Sequence, residues 1–544
     1  MCKGGIPESL LILNRFGIDH ATINSVWIVS NLFEIPPEKV LIKSGLVSEA
    51  IWRRAQRLLD QERQKLRHNL RTTTGKLENA IYGLFRNKPH YSAYHTLTGW
   101  QCVAILIALF FSGLAYFTVP GILFSIIVCV FSLFYLLSIL MRALIIAGYS
   151  THKTNNSALL HIRDEDLPVY TILVALYKEQ EQIKQLAHHL SKLNWPKNKL
   201  DIKLVCEADD IDTIVEIKRL NLPGYFETVL VPPADPRTKP KALNFALPTA
   251  RGEYLVLYDA EDIPSPNQLR EAFAHFKSND LKLACLQAPL HIHNRKQNWL
   301  SRMFWIEYMT LFNGVLPVLA RWNIPIPLGG TSNHFRTNVL QKIGGWDPFN
   351  VTEDADLGIR LYREGYRCGT ISLPTFEEAP PDLWPWITQR TRWIKGWMQT
   401  ILVHMRHPGS LKKEIGWRNL IAFHLILTSV VISTLFHPLF LGFWIMQMMA
   451  LPLETPDQLN ATFLFIGAFN LVGGYTTYAM LSYAVLRTEK QSSSLIYLLS
   501  LPAYWLLISW AAWRALAHLI TKPHKWEKTP HGLVKTEFRL RCDT

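Results

Sequence analysis

From Pro89 to Met141 the chain carries no Asp, Glu, Lys or Arg. A helix rising about 1.5 Å per residue needs about 20 residues to cross a hydrocarbon core. The stretch therefore predicts two crossings, with a hairpin at Pro120-Gly121. Three more uncharged runs follow late in the chain: Asn419 to Leu453, Gln458 to Leu486 and Gln491 to Trp513. The first is too long for one untilted span and has His437-Pro438 near its middle, where a helix kinks or turns. Read as two spans, it gives six crossings in all, four of them after the central block; read as one kinked span, it gives five.

Basic residues set the expected orientation. Arg53, Arg54, Arg57, Arg63, Lys65, Arg67, Arg71 and Lys76 precede the first run, and Arg406, Lys412, Lys413, Arg418, Lys522, Lys525 and Lys528 flank the later ones. By the positive-inside rule these lie in the cytoplasm. Both ends and the central block are then inside, which needs an even number of crossings after the block and favours four over three. Arg487 and Lys490 fall outside on that count, against the rule. The net charge of +14 follows from this topology and from anionic lipid. Without a helix-turn-helix, RNP or zinc-finger pattern, nucleic acid is not an expected partner. The seven cysteines have no CxxC spacing, so neither a zinc knuckle nor a disulfide framework is indicated.

The block between the spans alternates apolar strands with helical patterns, beginning with VYTILVAL at 169 to 176. This predicts an α/β domain with a mostly parallel sheet covered on both faces, where ligands collect at the carboxyl ends of the strands. Acids stand at those ends: Glu179 after the first strand, Glu207, Asp209 and Asp210 at the second, Asp259, Glu261 and Asp262 after the fourth. There is no GxGxxG loop, so the pattern suits a hard divalent ion that carries a diphosphate better than it suits a dinucleotide. Lys239 and Lys241 open a helix in TKPKALN, where a cation is unfavourable against the helix dipole unless an anion lies there too. Thr352-Glu353-Asp354 precedes another helical pattern and also reads as an ordinary helix cap. In WPWITQRTRWIKGWMQT, Gln389, Arg392 and Trp393 share about one helical face, and the tryptophans suit either a membrane interface or stacking on sugar rings.

In this order, the strand-end acids, the Lys-rich helix, YDAED, TED and QRTRW, flanked by spans, resemble the membrane-embedded processive family 2 glycosyltransferases, the cellulose synthase and hyaluronan synthase group. The resemblance covers residues 90 to 530. TKPKALN, GGTSNHF, VTEDADLG and WEKTPHG (526 to 532) are similar to one bacterial branch. It implies a nucleotide-diphospho-sugar transferase domain at 160–383 between two spans at 97–147 and three or four at 418–520. Interfacial helices would fill 384–417, and a basic cytoplasmic tail 521–544. Tyr177, Glu179 and Asp209 would hold the uridine of a UDP-sugar, and Lys239 and Lys241 would face its diphosphate. Asp259 and Glu261 would serve a Mg or Mn ion, with Asp262 the alternative to Glu261. Glu207 and Asp210 remain alternatives for the uracil contact, since EADD spaces its acids unlike the family pattern. Asp354 would be the general base, and Glu353, Gln389, Arg392 and Trp393 would hold the donor and the acceptor end.

The implied function is an inverting hexosyltransferase that lengthens an exopolysaccharide and exports it through its own channel, in a bacterial inner membrane with the catalytic domain cytoplasmic. One alternative adds a single sugar to a lipid-linked acceptor. Another is a transporter with a non-catalytic nucleotide-binding domain, which would call for polar residues inside spans. Residues 1–88 read as a small, mainly helical domain, weakly resembling the N-terminal domain of type II secretion ATPases. That likeness implies a regulatory protein or cyclic di-GMP as its partner.

Overall fold

The computed structural model describes residues 16–32, 36–150, 162–450 and 458–527, with Leu10 and Leu13. The sequence expectations for Lys528, for the last five residues of WEKTPHG and for the tail beyond it lie outside the described residues. The chain divides into two units, Met1–Glu78 and Asn79–Thr544. The described residues of the smaller include helices His20–Leu32 and Pro37–Lys43, with Leu10, Leu13, Ile23, Val26, Leu41, Val47 and Ala55 as its core. The boundary falls ten residues before the expected 88. The reason is that the last turns of helix Glu49–Asn87 belong to the larger unit: Ala80, Ile81 and Leu84 are buried there, and the Ala80 carbonyl accepts from Asn244 Nδ2 at 3.1 Å.

The larger unit is built on ten strands: β1 Tyr170–Leu176, β2 Leu200–Glu207, β3 Phe226–Val231, β4 Tyr254–Tyr258, β5 Ile263–Pro264, β6 Leu283–Gln287, β7 Leu290–Ile292, β8 Asn333–Arg336, β9 Arg367–Thr370 and β10 Thr375–Glu377. Seven form one sheet in the order β3-β2-β1-β4-β8-β6-β9, and β5-β10-β7 form a second. The large sheet is parallel except at β8, which runs antiparallel to β4 and β6. Strand β4, the apolar run YLVLY, is buried along its whole length, as expected in a two-sided sheet; β2 is buried too, with its Asp201 and Lys203 paired to each other at 3.0 Å.

Strand β8 is polar in sequence, NHFR at the end of GGTSNHFR. Inside the sheet its polar groups are satisfied: His334 Nδ1 pairs with the Tyr170 hydroxyl at 2.8 Å, and Arg336 donates to the Leu283 and Phe276 carbonyls at 2.9 and 2.8 Å. Polar residues can occupy a buried strand when each finds a partner.

Among the described residues six helices are long and apolar enough to cross a membrane, but they are not the six that the sequence suggests. The described part of Asn419 to Leu453 does not fold back at His437-Pro438; it lies in one long helix, Pro408–Met449, so among the described residues three long apolar helices follow residue 408 and not four. The sixth is Trp299–Arg321, two-thirds buried.

Contacts at the helix ends sort these further. Gly99–Thr118 starts beside Leu402, whose carbonyl accepts from Gln101 at 2.9 Å, and Pro120–Ser150 returns to bring Gly148 against Val318 and Trp322. Pro408–Met449 leads away again and Gln458–Thr488 returns, so that Glu489 accepts from Asn313 at 3.0 Å. At the far end Phe124 meets Phe443 and Phe463.

Leu501–Thr521 behaves differently, since both its ends are tied to the α/β domain. Trp299 donates to Ser500 Oγ at 2.8 Å at one end, and Lys395 donates to the Lys522 carbonyl at 3.1 Å at the other. It lies along helix Leu383–His404, with Tyr504 on Trp386 and the Ala511 carbonyl by Thr391.

Candidate active site

The parallel register sets Leu176 beside Cys206 and Val174 beside Tyr258, so the residues after β1, β2 and β4 emerge along one edge of the sheet. A cavity of about 300 Å³ opens there, walled on its other side by helix Leu383–His404. Tyr177, Glu179, Lys239, Asp259 and Glu261 line it from the strand ends; Glu353, Asp354, Gln389, Arg392 and Trp393 line it from the other side.

At the strand ends nearly every charge has a counterpart. Lys239 Nζ contacts the Asp259 carboxylate and donates to the Gly330 carbonyl at 2.7 Å. Burial pulls the Lys239 ammonium down, but the Asp259 and Glu353 carboxylates outweigh it and hold its pKa above the usual value. Arg237, which sequence reasoning passed over, donates to Asp209 at 2.6 Å and to the Tyr177 hydroxyl at 3.4 Å. This trio lines an outer cavity next to the first. The signal available was its place two residues ahead of Lys239 in the Lys-rich motif.

Three of the sequence-predicted residues are held away from the catalytic cavity. Lys241 does not line the cavity: it is fully buried, paired with Glu207 at 2.6 Å and donating to the Ala234 carbonyl at 3.0 Å. The reason is helical phase, since positions 239 and 241 differ by about 200° around the axis. Asp210 accepts from the Lys178 amide at 2.5 Å, which leaves Asp209 as the acid beside Arg237 and Tyr177. Asp262 is 1% exposed and accepts from the Asp259 amide at 2.7 Å and from the Thr331 hydroxyl. Burial, with the charges of Asp259 and Glu261, raises its pKa well above the carboxylate range. It shapes the turn, and Glu261 is the acid that lines the cavity.

Among the described residues no group of three or more His, Cys, Asp or Glu is placed to hold a metal. Asp259 and Glu261 supply two carboxylates one residue apart on the cavity wall. That donor set fits an ion such as Mg²⁺, which takes one or two carboxylates and fills its remaining positions with phosphate and water. A third acid, Glu377 at the end of β10, also lines the cavity, and its Oε1 is buried without a partner. Burial, followed by the charges of Asp262, Glu261 and Asp259, holds its pKa well above the usual range.

Thr352 does not cap helix Glu353–Arg363, because its side chain makes no capping hydrogen bond. The segment is held from outside instead. The Val351 amide donates to Gln399 at 3.1 Å, Asn350 donates to Thr400 at 3.0 Å, and Gly396 packs so closely that a Cβ there would lie 2.1 Å from Thr352 Oγ1. At Gly330 the space is merely tight, since a Cβ on it would stand 3.2 Å from Asp354 Oδ2. Burial raises the Asp354 pKa, opposed by the Ala355 amide, Lys239 and Arg392. Glu353 is pushed up to about 7, first by burial and then by the Asp354 charge.

The membrane side of the cavity has the opposite character. Gln389 Oε1 and Arg392 Nε are buried without partners. Trp393 stacks on Tyr308 at 6.1 Å and 27°. Arg390, the other arginine of QRTRW, is structural and pairs with Glu307 at 2.6 Å. After helix Leu501–Thr521 the chain comes back over the site: His524 Nδ1 contacts the Phe349 carbonyl at 3.1 Å, and the Arg392 guanidinium sits 5.6 Å from the Trp526 ring, which itself lines the cavity.

Residues 254–517 match the family described as glycosyl transferase family group 2. The chain is 23% identical over 384 residues to the probable glycosyltransferase YdaM of Bacillus subtilis (strain 168), covering 67% of this chain and 87% of that one. The chain is a glycosyltransferase, with residues 254–517 similar to that family. It is also 23% identical over 388 residues to a probable glycosyltransferase of Sulfolobus acidocaldarius, covering 70% of this chain and 81% of that one. Among solved structures, the transferase matches the mannosyltransferase PcManGT from Pyrobaculum calidifontis in complex with GDP-Man and Mn²⁺, with a TM-score of 0.45 and 17% identity over 71% of this chain and 95% of that one. Its cavity brings Lys239, the acids Asp259 and Glu261 and the Asp354 carboxylate to one wall-lined space.

Proposed function

We propose that this transferase is an inverting polysaccharide synthase that moves sugar from a UDP-sugar to the end of a growing chain and passes that chain into the membrane. One observation carries the reading. Trp393, Trp397, Leu311 and Val430 line both the catalytic cavity and a second cavity of about 480 Å³ among the long apolar helices. Those shared residues make the two cavities neighbours, and an acceptor whose terminal hydroxyl lies by Asp354 would extend past Trp393 toward aromatic walls that include Phe131, Phe440 and Trp505.

The residues divide the work as follows. Tyr177, Asp209 and Arg237 hold the nucleoside at the outer cavity, and Lys239 meets the diphosphate. A Mg or Mn ion on Asp259 and Glu261 would neutralise charge on the leaving group. Asp354 removes the proton from the acceptor hydroxyl, whose oxygen attacks the anomeric carbon opposite the diphosphate, so the new glycosidic bond has inverted configuration. Gln389 and Arg392 satisfy their buried polar atoms on the donor and acceptor sugars. The ordered donors act where charge develops, in the transition state.

The orientation follows from four crossings, Gly99–Thr118, Pro120–Ser150, Pro408–Met449 and Gln458–Thr488, with Leu501–Thr521 lying at the interface. An even count puts the α/β domain and the described tail on one side. Arg487 and Lys490 then join the other basic flanks, and the positive-inside rule makes that side the cytoplasm of a bacterial inner membrane. The test is to supply the full chain in nanodiscs with single UDP-sugars and Mg²⁺ or Mn²⁺, then size the product. Long polymer is expected; a product that stops at one added sugar overturns the processive reading.

A further inference from the structure

A second polar cavity, about 770 Å³, lies outside the catalytic site, between the loop after β7 and the end of helix Gln458–Thr488. His291, His293, Arg295, Lys296, Trp305 and Glu489 are on its wall. The Arg295 guanidinium stacks 4.7 Å from the Trp305 ring centre, and Arg302 approaches the same ring at 5.8 Å and Tyr497 at 5.4 Å. Arg302 also donates to Ser494 Oγ at 3.1 Å.

Among the described residues none of Arg295, Lys296 and Arg302 pairs with a carboxylate. The one acid on the wall, Glu489, is engaged by Asn313 at 3.0 Å. His291 and His293 add no positive charge at neutral pH, because burial pulls both below the usual imidazole value. Two guanidinium groups held over one indole repel each other, and the indole face offsets only part of that. A bound anion would remove the conflict, and the planar guanidinium fork is suited to phosphate oxygens.

Position selects among anions. The cavity sits where helix Gln458–Thr488 reaches the α/β domain, and Trp299, Trp305 and Tyr497 surround that level. Aromatic residues with basic groups at the end of an apolar helix mark the headgroup layer. We infer that this cavity binds the phosphate headgroup of an anionic phospholipid. The acyl chains remain in the bilayer beside the helices, and the headgroup phosphate bridges Arg295 and Lys296.

The experiment uses the full chain in neutral detergent, titrated with phosphatidylglycerol, with phosphatidylcholine, and with soluble glycerol phosphate as competitor, counting retained lipid by native mass spectrometry. Phosphatidylglycerol is expected to be retained about tenfold more strongly than phosphatidylcholine, on the scale of one or two charge-assisted contacts. Arg295→Gln with Lys296→Gln should remove most of that preference, and Lys413→Gln, a basic residue elsewhere at the membrane flank, should leave it intact. Unchanged thermal unfolding of the double variant separates lost binding from lost fold, and Arg295→Lys, which keeps the charge, should keep most of the binding. Equal retention of both lipids, no effect of the double variant, or displacement of the lipid by millimolar glycerol phosphate would each overturn the assignment.

Discussion

The two ends of the catalytic cavity solve opposite problems. At the strand ends the acids already hold cations, Asp209 with Arg237, Asp259 with Lys239 and Glu207 with Lys241. On the membrane side Gln389 Oε1 and Arg392 Nε have no partner, and the walls are aromatic rings. On the proposed function, a nucleotide diphosphate and its ion would enter by exchanging partners among groups that are mostly paired without them. A sugar enters where polar atoms wait unsatisfied, which is costly in its absence and selective in its presence.

The largest way to test this contrast is at the proton acceptor between the two ends. Asp354→Asn should lower transfer by roughly a thousandfold or more, within the range of a lost general base, while calorimetric UDP binding stays as it was; normal turnover would remove Asp354 from that role. Gly396→Ala comes next, because a Cβ 2.1 Å from Thr352 Oγ1 must move the segment that carries Asp354. A displacement of about 1 Å costs on the order of a hundredfold in rate, so kcat should fall by that order with the donor KM nearly constant. A KM effect instead would mean that the two ends are coupled more tightly than the geometry implies.

Arg237→Gln should act only at the outer end, raising the donor KM about fivefold, the scale of one partly exposed charge contact, with kcat unchanged. The smallest effect concerns pH. Glu353 sits at about 7 and Asp354 is raised, both chiefly by burial. A carboxylate with a raised pKa is protonated at a higher pH than usual, so base catalysis is lost as pH falls through the pair's range. Glu353→Gln removes one charge of the pair and should move the acid limb of the kcat profile to lower pH; a limb that stays put would show that the two carboxyl groups do not share that titration.

How much of this was legible depended on distance along the chain. The acids after β1, β2 and β4 could be read because unbroken apolar runs announce parallel strands, whose carboxyl ends are where ligands gather. Arg237, Glu377 and Trp526 could not, since a loop, the short β10 and the return of the chain after Thr521 bring them in. Pro438 misled in the other direction. It reads as a turn, yet the helix runs through it, with neighbouring His437 Nε2 bonded to the Tyr475 hydroxyl at 2.5 Å; packed neighbours let a helix tolerate proline among apolar surroundings.

Composition and periodicity by themselves determined that apolar helices flank an α/β domain with acids at its strand ends, because burial of β-branched runs and avoidance of charge in apolar helices are local rules. Only the tertiary structure decided that Lys241 faces inward, that Asp262 props a turn, and that helix Leu501–Thr521 lies along helix Leu383–His404 with both its ends on the domain. Those outcomes depend on which buried group finds which partner, and partners far apart along the chain meet only once it has folded.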